Sequence, residues 1–232
     1  MGSTRLPGKV LRPLCDSTVL GYVIDRCKQC RSIDEIIVAT SDMPADDAIV
    51  NYLQGYDVPV FRGSEKDVLR RYVQAAEKHG VRDIVRVTAD CPLIDPDIVD
   101  EVVDLYLSER CDYAYIEGYP RGMGEAEVVF LEALHRTMKI TSEEETTYRE
   151  HVITYVIKHP NLFRVVVKRA PEELTLPDSR VCVDEEADLD VIRHVAEKFF
   201  PRKNFATEEV IEFLRENPEI RHLNINVRQK KF

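Results

Sequence analysis

Hydrophobic positions along this chain follow two periods. Short runs rich in β-branched residues, at 34–40, 58–61 and 83–87, read as buried strands. Between them the apolar residues recur at helical spacing. One stripe is Leu20, Val23, Ile24 and Cys27, in a helix from Asp16 or Ser17 to about Gln29. A short acidic helix covers 45–53. Another stripe is Val68, Leu69, Tyr72, Val73 and Ala76, opened by a Ser64-x-x-Asp67 capping box. A third is Ile98, Val102, Leu105 and Tyr106, over 97–107. Strands that alternate with helices imply an α/β fold with parallel strands and right-handed crossovers.

The second half is more mixed. Strands are predicted at 113–116, 126–130, 163–168 and 181–183. A loop, GYPRGMG, covers 118–124, and helices cover 132–138 and 146–158. A helix carrying Leu189, Ile192, Ala196 and Phe199 follows Asp184. The tail from Thr207 adds a helix and a strand at 223–227. No internal repeat is visible. The pattern reads as one domain over 1–232, with a smaller lobe or insertion at about 110–175.

Asp90 and Asp184 each end a short apolar strand and precede a helix. Ligands of open α/β sheets bind at that strand edge. Two carboxylates there suit a shared Mg²⁺ over a phosphate; taken singly, Asp90 reads equally well as a turn cap. The first nine residues, MGSTRLPGK, gather two glycines with Arg5 and Lys9. Glycines let backbone N–H groups approach an anion, and the two cations add charge for it. The spacing is neither GxxxxGK[ST], since Val10 follows Lys9, nor GxGxxG.

Composition narrows the classes. The 232 residues carry a formal net charge of -10, which argues against general nucleic-acid binding. No apolar run reaches the ~18 residues of a membrane span, and no signal peptide is visible. Of six cysteines, Cys27 and Cys30 form CKQC, with no second ligand pair at zinc spacing. Reduced structural thiols in a cytoplasmic protein are the expectation.

The runs MGSTRLPGKVL, IDEIIVATSD, VPVFRGSEKDVLRRY, VRVTADCPLIDP, YPRGMG, REHVITYV and VCVDEEADLDVIR resemble, in this order, the spore-coat polysaccharide cytidylyltransferase-like family, relatives of the CMP-sialate and CMP-ketodeoxyoctonate synthetases. The resemblance covers nearly the whole chain. It implies a nucleotide-diphospho-sugar transferase-like fold, a three-layer α/β/α sandwich with a mostly parallel sheet. It implies transfer of CMP from CTP to a sugar acid with release of pyrophosphate, in surface polysaccharide biosynthesis, by a homodimer. By position, Gly2, Ser3, Arg5 and Lys9 would hold the triphosphate. Residues 63–67, with Ser64 and Asp67, would lie near base and ribose. Asp90 and Asp184 would bind Mg²⁺, and Arg121, Glu127, Arg149 and His151 would line the acceptor side. Arg5, Lys9 and Asp90 would carry the catalysis.

The chain departs from the family pattern in three places. Ala89 stands where relatives have Gly, and Gly124-Glu125-Ala126-Glu127 stands where many have an Asp. Relatives also begin with a strand upstream of the phosphate loop, so a longer native form is expected. Two other readings are another nucleotidyltransferase or glycosyltransferase on the same fold, and a non-catalytic nucleotide-binding protein.

Overall fold

The computed structural model describes residues 1–228. Behind the N-terminal loop, β1 (Pro13–Leu14) and β2 (Ser17–Thr18) form an antiparallel hairpin with Cys15 at φ 48°. Because 17 and 18 belong to that hairpin, the cap of α1 (Val19–Cys27) falls on Thr18, not on Asp16 or Ser17. The Thr18 hydroxyl accepts from the Gly21 N–H at 3.1 Å. Next come β3 (Val38–Ser41), α2 (Asp47–Leu53), β4 (Val60–Gly63) and α3 (Val68–His79). Both strands lie slightly later than predicted, since their parallel ladder begins only where Val38 meets Val60. Asp67 caps α3 by accepting from Arg70 N at 2.9 Å, and Ser64 braces it by accepting from Asp67 N at 3.0 Å. The capping box is thus shifted: Ser64 holds the loop and Asp67 holds the helix.

The larger sheet contains β5 (Asp83–Val87), β6 (Tyr113–Glu117), β7 (Ala126–Phe130) and β8 (Val165–Arg169). Its order is β5-β7-β6-β8. β7 runs antiparallel to both neighbours, while β5, β6 and β8 share one direction. Among the described residues, nothing ladders onto the edge of β3 away from β4 or onto the edge of β5 away from β7.

Helices cover both faces of the larger sheet. One face packs Ile84, Tyr113 and Val129 against α3, α5 (Leu131–Ile140) and α7 (Thr154–Lys158). The other packs Ala114, Ile116 and Val128 against α4 (Pro96–Glu109). A third core joins α8 (Glu186–Phe199) and α9 (Thr207–Glu216) to the turns at the strand ends: Leu6, Leu93, Met123, Val181 and Val183 all meet there. That core holds the segments of the candidate site in place.

Three sequence expectations need correction. The single helix at 146–158 is two, α6 (Thr146–Glu150) and α7, broken at His151, whose ψ of 83° leaves the helical region and lets Val152 turn fully inward. Residues 181–183 are no strand of a ladder. Val181 N bonds Arg121 O and Val183 N bonds Asp90 O, so the segment bridges two loops while its valines are fully buried. Residues 223–227, after α10 (Pro218–Arg221), form successive turns instead of a strand. There Asn224 is the buried residue, bonded to Asp188 and Arg180, while Leu223 and Ile225 are exposed. Among the described residues no helix is long and apolar enough to cross a membrane. All six cysteines are free, and burial pushes the Cys30 thiol up to about 12.

Candidate active site

The N-terminal loop is aimed by one backbone feature. Gly8 sits at φ 68°, a left-handed conformation that glycine adopts without strain, and opens a short 3₁₀ turn at Lys9–Leu11. Ser3 Oγ accepts from Leu6 N at 3.2 Å, and Leu6 is buried in the α8 core. The loop is therefore tethered just ahead of its bend. Lys9 is delivered to the carboxyl end of β5: Nζ lies 2.5 Å from Asp90 Oδ2, 2.6 Å from Val183 O and 2.9 Å from Asp184 Oδ1.

Asp184 collects three cations. Besides Lys9, Arg5 Nη2 lies 2.9 Å and Arg180 Nη2 2.8 Å from its Oδ2. Burial would raise this carboxyl, but Lys9, Arg180 and Arg5 outweigh it and hold it at about 2. For Lys9 the balance is the mirror image. Burial works to lower it, while Asp90 and Asp184 raise it above its ordinary value. Asp188, fully buried at the start of α8, accepts from the backbone N–H groups of Asp184 and Glu185 and pairs with Arg180. It fixes the turn that presents Asp184.

The GYPRGMG loop forms the next wall. Gly122 adopts φ 99°, and a Cβ there would stand 2.5 Å from the Val181 backbone, so no side chain fits. This backbone-on-backbone packing lays Arg121 beside the 181–183 segment, with Arg121 N donating to Ser179 O at 3.3 Å. The Arg121 side chain is 45% exposed, and its Nε is 3.9 Å from Glu125 Oε1. Glu125 also accepts from Gly122 N. Burial raises its carboxyl, Gly122 and Arg121 oppose, Asp90 and Glu127 add to the rise, and the result is about 7.

Of the residues singled out from sequence, Arg5, Lys9, Asp90 and Asp184 meet directly, and Gly2 and Ser3 lie in the loop that carries them. A Cβ on Gly2 would stand 3.4 Å from Glu65 Oε1, which sets the 63–67 segment beside that loop. Ser64 and Asp67 are engaged in the start of α3, as described above. Arg149 is turned inward: it is 4% exposed and donates to the carbonyls of Met138, Thr141 and Ser142, with Asp67 3.4 Å away. These bonds tie off the end of α5, and they make a packing role for Arg149 the better reading of its place. Glu127 is also buried, accepting from Arg86 and from Tyr113 OH at 2.7 Å. His151 sits at the α6–α7 break. Burial lowers it, Glu150 opposes, and Arg86 and Lys158 add to the lowering.

Sequence reasoning missed Arg180, Asp188, Glu125 and Arg86. Arg86 left a signal as a charge inside a β-branched strand, and Glu125 as an acid in the stretch that departs from the family pattern. Arg180 and Asp188 look like ordinary polar residues until the chain is folded.

Among solved structures this frame recurs in nucleotidyltransferases: the fold is that of the nucleotide-diphospho-sugar transferases. The chain belongs to the cytidylyltransferase family, whose sequence profile matches residues 1–224. A cytidylyltransferase of Leptospira borgpetersenii superposes with a TM-score of 0.86 at 31% identity, over 100% of this chain and 95% of that one. The spore coat polysaccharide biosynthesis protein SpsF of Bacillus subtilis is 36% identical over 223 residues, 94% of this chain and 92% of its own. The CMP:2-keto-3-deoxy-manno-octonic acid synthetase complexed with CTP shares the fold at a TM-score of 0.62 and 17% identity, over 85% of this chain and 95% of that one.

Proposed function

We propose that this cytidylyltransferase moves CMP from CTP to the hydroxyl of a sugar acid and releases pyrophosphate, for surface polysaccharide assembly. The observation that carries the reading is the convergence of Arg5 and Lys9 with Asp90 and Asp184 at the end of β5. Cations that pair with carboxylates here are placed to pair with a triphosphate, and the carboxylates are placed to hold the ion that accompanies it.

The residues fit a magnesium ion. Two carboxylate oxygens and the Val183 carbonyl already surround one positive charge, the Lys9 ammonium, and oxygen donors of this kind suit Mg²⁺. Among the described residues no group of three or more His, Cys, Asp or Glu side chains is placed to hold a metal ion, so phosphate and water oxygens would complete the shell around the two carboxylates. Asp90 and Asp184 would hold the ion, which supplies Lewis-acid polarisation of a phosphoryl oxygen.

The chain's own groups do the rest. The sugar hydroxyl attacks the α-phosphorus of CTP. A new O–P bond forms, the bond to the oxygen bridging to the β-phosphate breaks so that pyrophosphate leaves, and the hydroxyl proton passes to solvent water. Arg5 and Lys9 stabilise the charge that builds on the departing pyrophosphate. Arg121, exposed on the loop wall, takes the carboxylate of the sugar acid through its planar fork. The two relatives named for a coat polysaccharide and for a 2-keto sugar acid support that choice of acceptor. Incubating the protein with each of the four nucleoside triphosphates and a panel of 2-keto sugar acids, with pyrophosphate detection, tests the assignment. A strong preference for a purine triphosphate would overturn it.

A further inference from the structure

Three oxygens from three residues converge on Lys9 Nζ, at 2.5, 2.6 and 2.9 Å. They are the same oxygens that would receive a divalent cation between Asp90 and Asp184. Magnesium binds oxygens at ~2.1 Å, so the three oxygens need move in by about 0.4 to 0.8 Å to exchange the ammonium for the ion. The two cannot share the place. An ion entering beside a retained ammonium would meet a like charge about 3 Å away in a half-buried site, where the repulsion is strong. The Lys9 side chain is 16% exposed and rides on the loop bent at Gly8. Its long flexible stem can swing while the loop stays tethered.

We infer that Lys9 is the resident counter-ion of the Asp90–Asp184 pair in the nucleotide-free protein, and that a divalent cation replaces it only when a triphosphate arrives to receive the displaced ammonium. The carboxylates then never stand bare, and the ligand of this site is the metal–triphosphate complex, not the metal. Arg180 stays on Asp184 throughout and keeps its position fixed while Lys9 changes partner. The inference rests on the reading of Asp90 and Asp184 as the cation pair. It is tested with metal alone, so its failure is distinct from a wrong nucleotide or sugar.

The probe is Mn²⁺, followed by electron paramagnetic resonance in the absence of nucleotide. The full wild-type chain leaves Mn²⁺ free at sub-millimolar concentrations. Lys9→Met, which keeps the stem and removes the charge, binds one Mn²⁺ at least about tenfold more tightly. Mg²⁺ raises the melting temperature of this variant by several degrees and leaves the wild type unchanged. Adding Asp184→Asn to Lys9→Met abolishes both responses and so locates the ion. Lys9→Gln provides the same comparison should the Met form not fold. Tight one-to-one Mn²⁺ binding to the wild type without nucleotide overturns the inference and needs no variant. Equal Mn²⁺ affinity in wild type and Lys9 variants overturns it as well.

Discussion

Val183 donates its backbone N–H to the carbonyl of Asp90 at 2.8 Å, and that bond sets Asp90 and Asp184 side by side although 94 positions separate them in sequence. Their environments then differ. Asp90 pairs with Lys9, whereas Asp184 pairs with Lys9, Arg5 and Arg180.

The difference predicts unequal variants. Asp90→Asn and Asp184→Asn should each lower turnover by on the order of 100-fold or more. Asp184→Asn should also lower stability, by about 2 kcal/mol more than Asp90→Asn, because it leaves three cations facing a neutral amide. Urea unfolding of both variants beside their rates checks this. Equal stability losses would mean that the two further contacts to Asp184, from Arg5 and Arg180, carry no net energy.

Arg149 predicts the opposite separation. Arg149→Ala removes a buried donor from three carbonyls at the end of α5 and should cost on the order of 3 kcal/mol. The folded fraction should keep an unchanged KM for the acceptor. A raised KM at unchanged stability would return Arg149 to the acceptor side.

Much of the frame is legible in the sequence because it rests on local patterns. The strand Asp83–Val87 and the stripes of α1, α3, α4 and α8 follow from apolar period, and the two carboxylates Asp90 and Asp184 stand out as acids that each close a short apolar run, whereas their contact with Lys9 is seen only in the fold. What escapes is set by tertiary contact. The 181–183 run is as apolar as a strand, yet it is spent bridging Asp90 and Arg121. Asn224 outranks Leu223 and Ile225 for burial because Asp188 and Arg180 need its amide. Arg149 reads as a solvated or substrate-facing arginine, and only the fold shows which carbonyls it must satisfy.

Glu125 predicts a pH effect with a defined sign. Its carboxyl titrates at about 7 in the fold, against 4.5 ordinarily. Between those values the native chain holds a proton that the unfolded chain has released, so stability falls as pH rises through that window. Glu125→Gln removes this loss. The melting temperature of the wild type relative to Glu125→Gln should therefore decline from pH 5 to pH 8. A flat difference would contradict the dominance of burial over the Gly122 and Arg121 contacts there. Asp184 acts in the other sense. Held at about 2 against 3.8, it contributes stability that is present above 3.8 and lost as pH falls through 2.

Transfer of CMP to a sugar acid at the Asp90–Asp184 edge is read out by pyrophosphate release from CTP with Mg²⁺, in the presence and absence of a 2-keto sugar acid, for the wild type and Asp90→Asn. Release should require the acid, yield a CMP–sugar ester in equal amount by mass spectrometry, and fall by on the order of 100-fold in the variant. Release at the same rate without the acid, or undiminished release by Asp90→Asn, would contradict transfer at that edge.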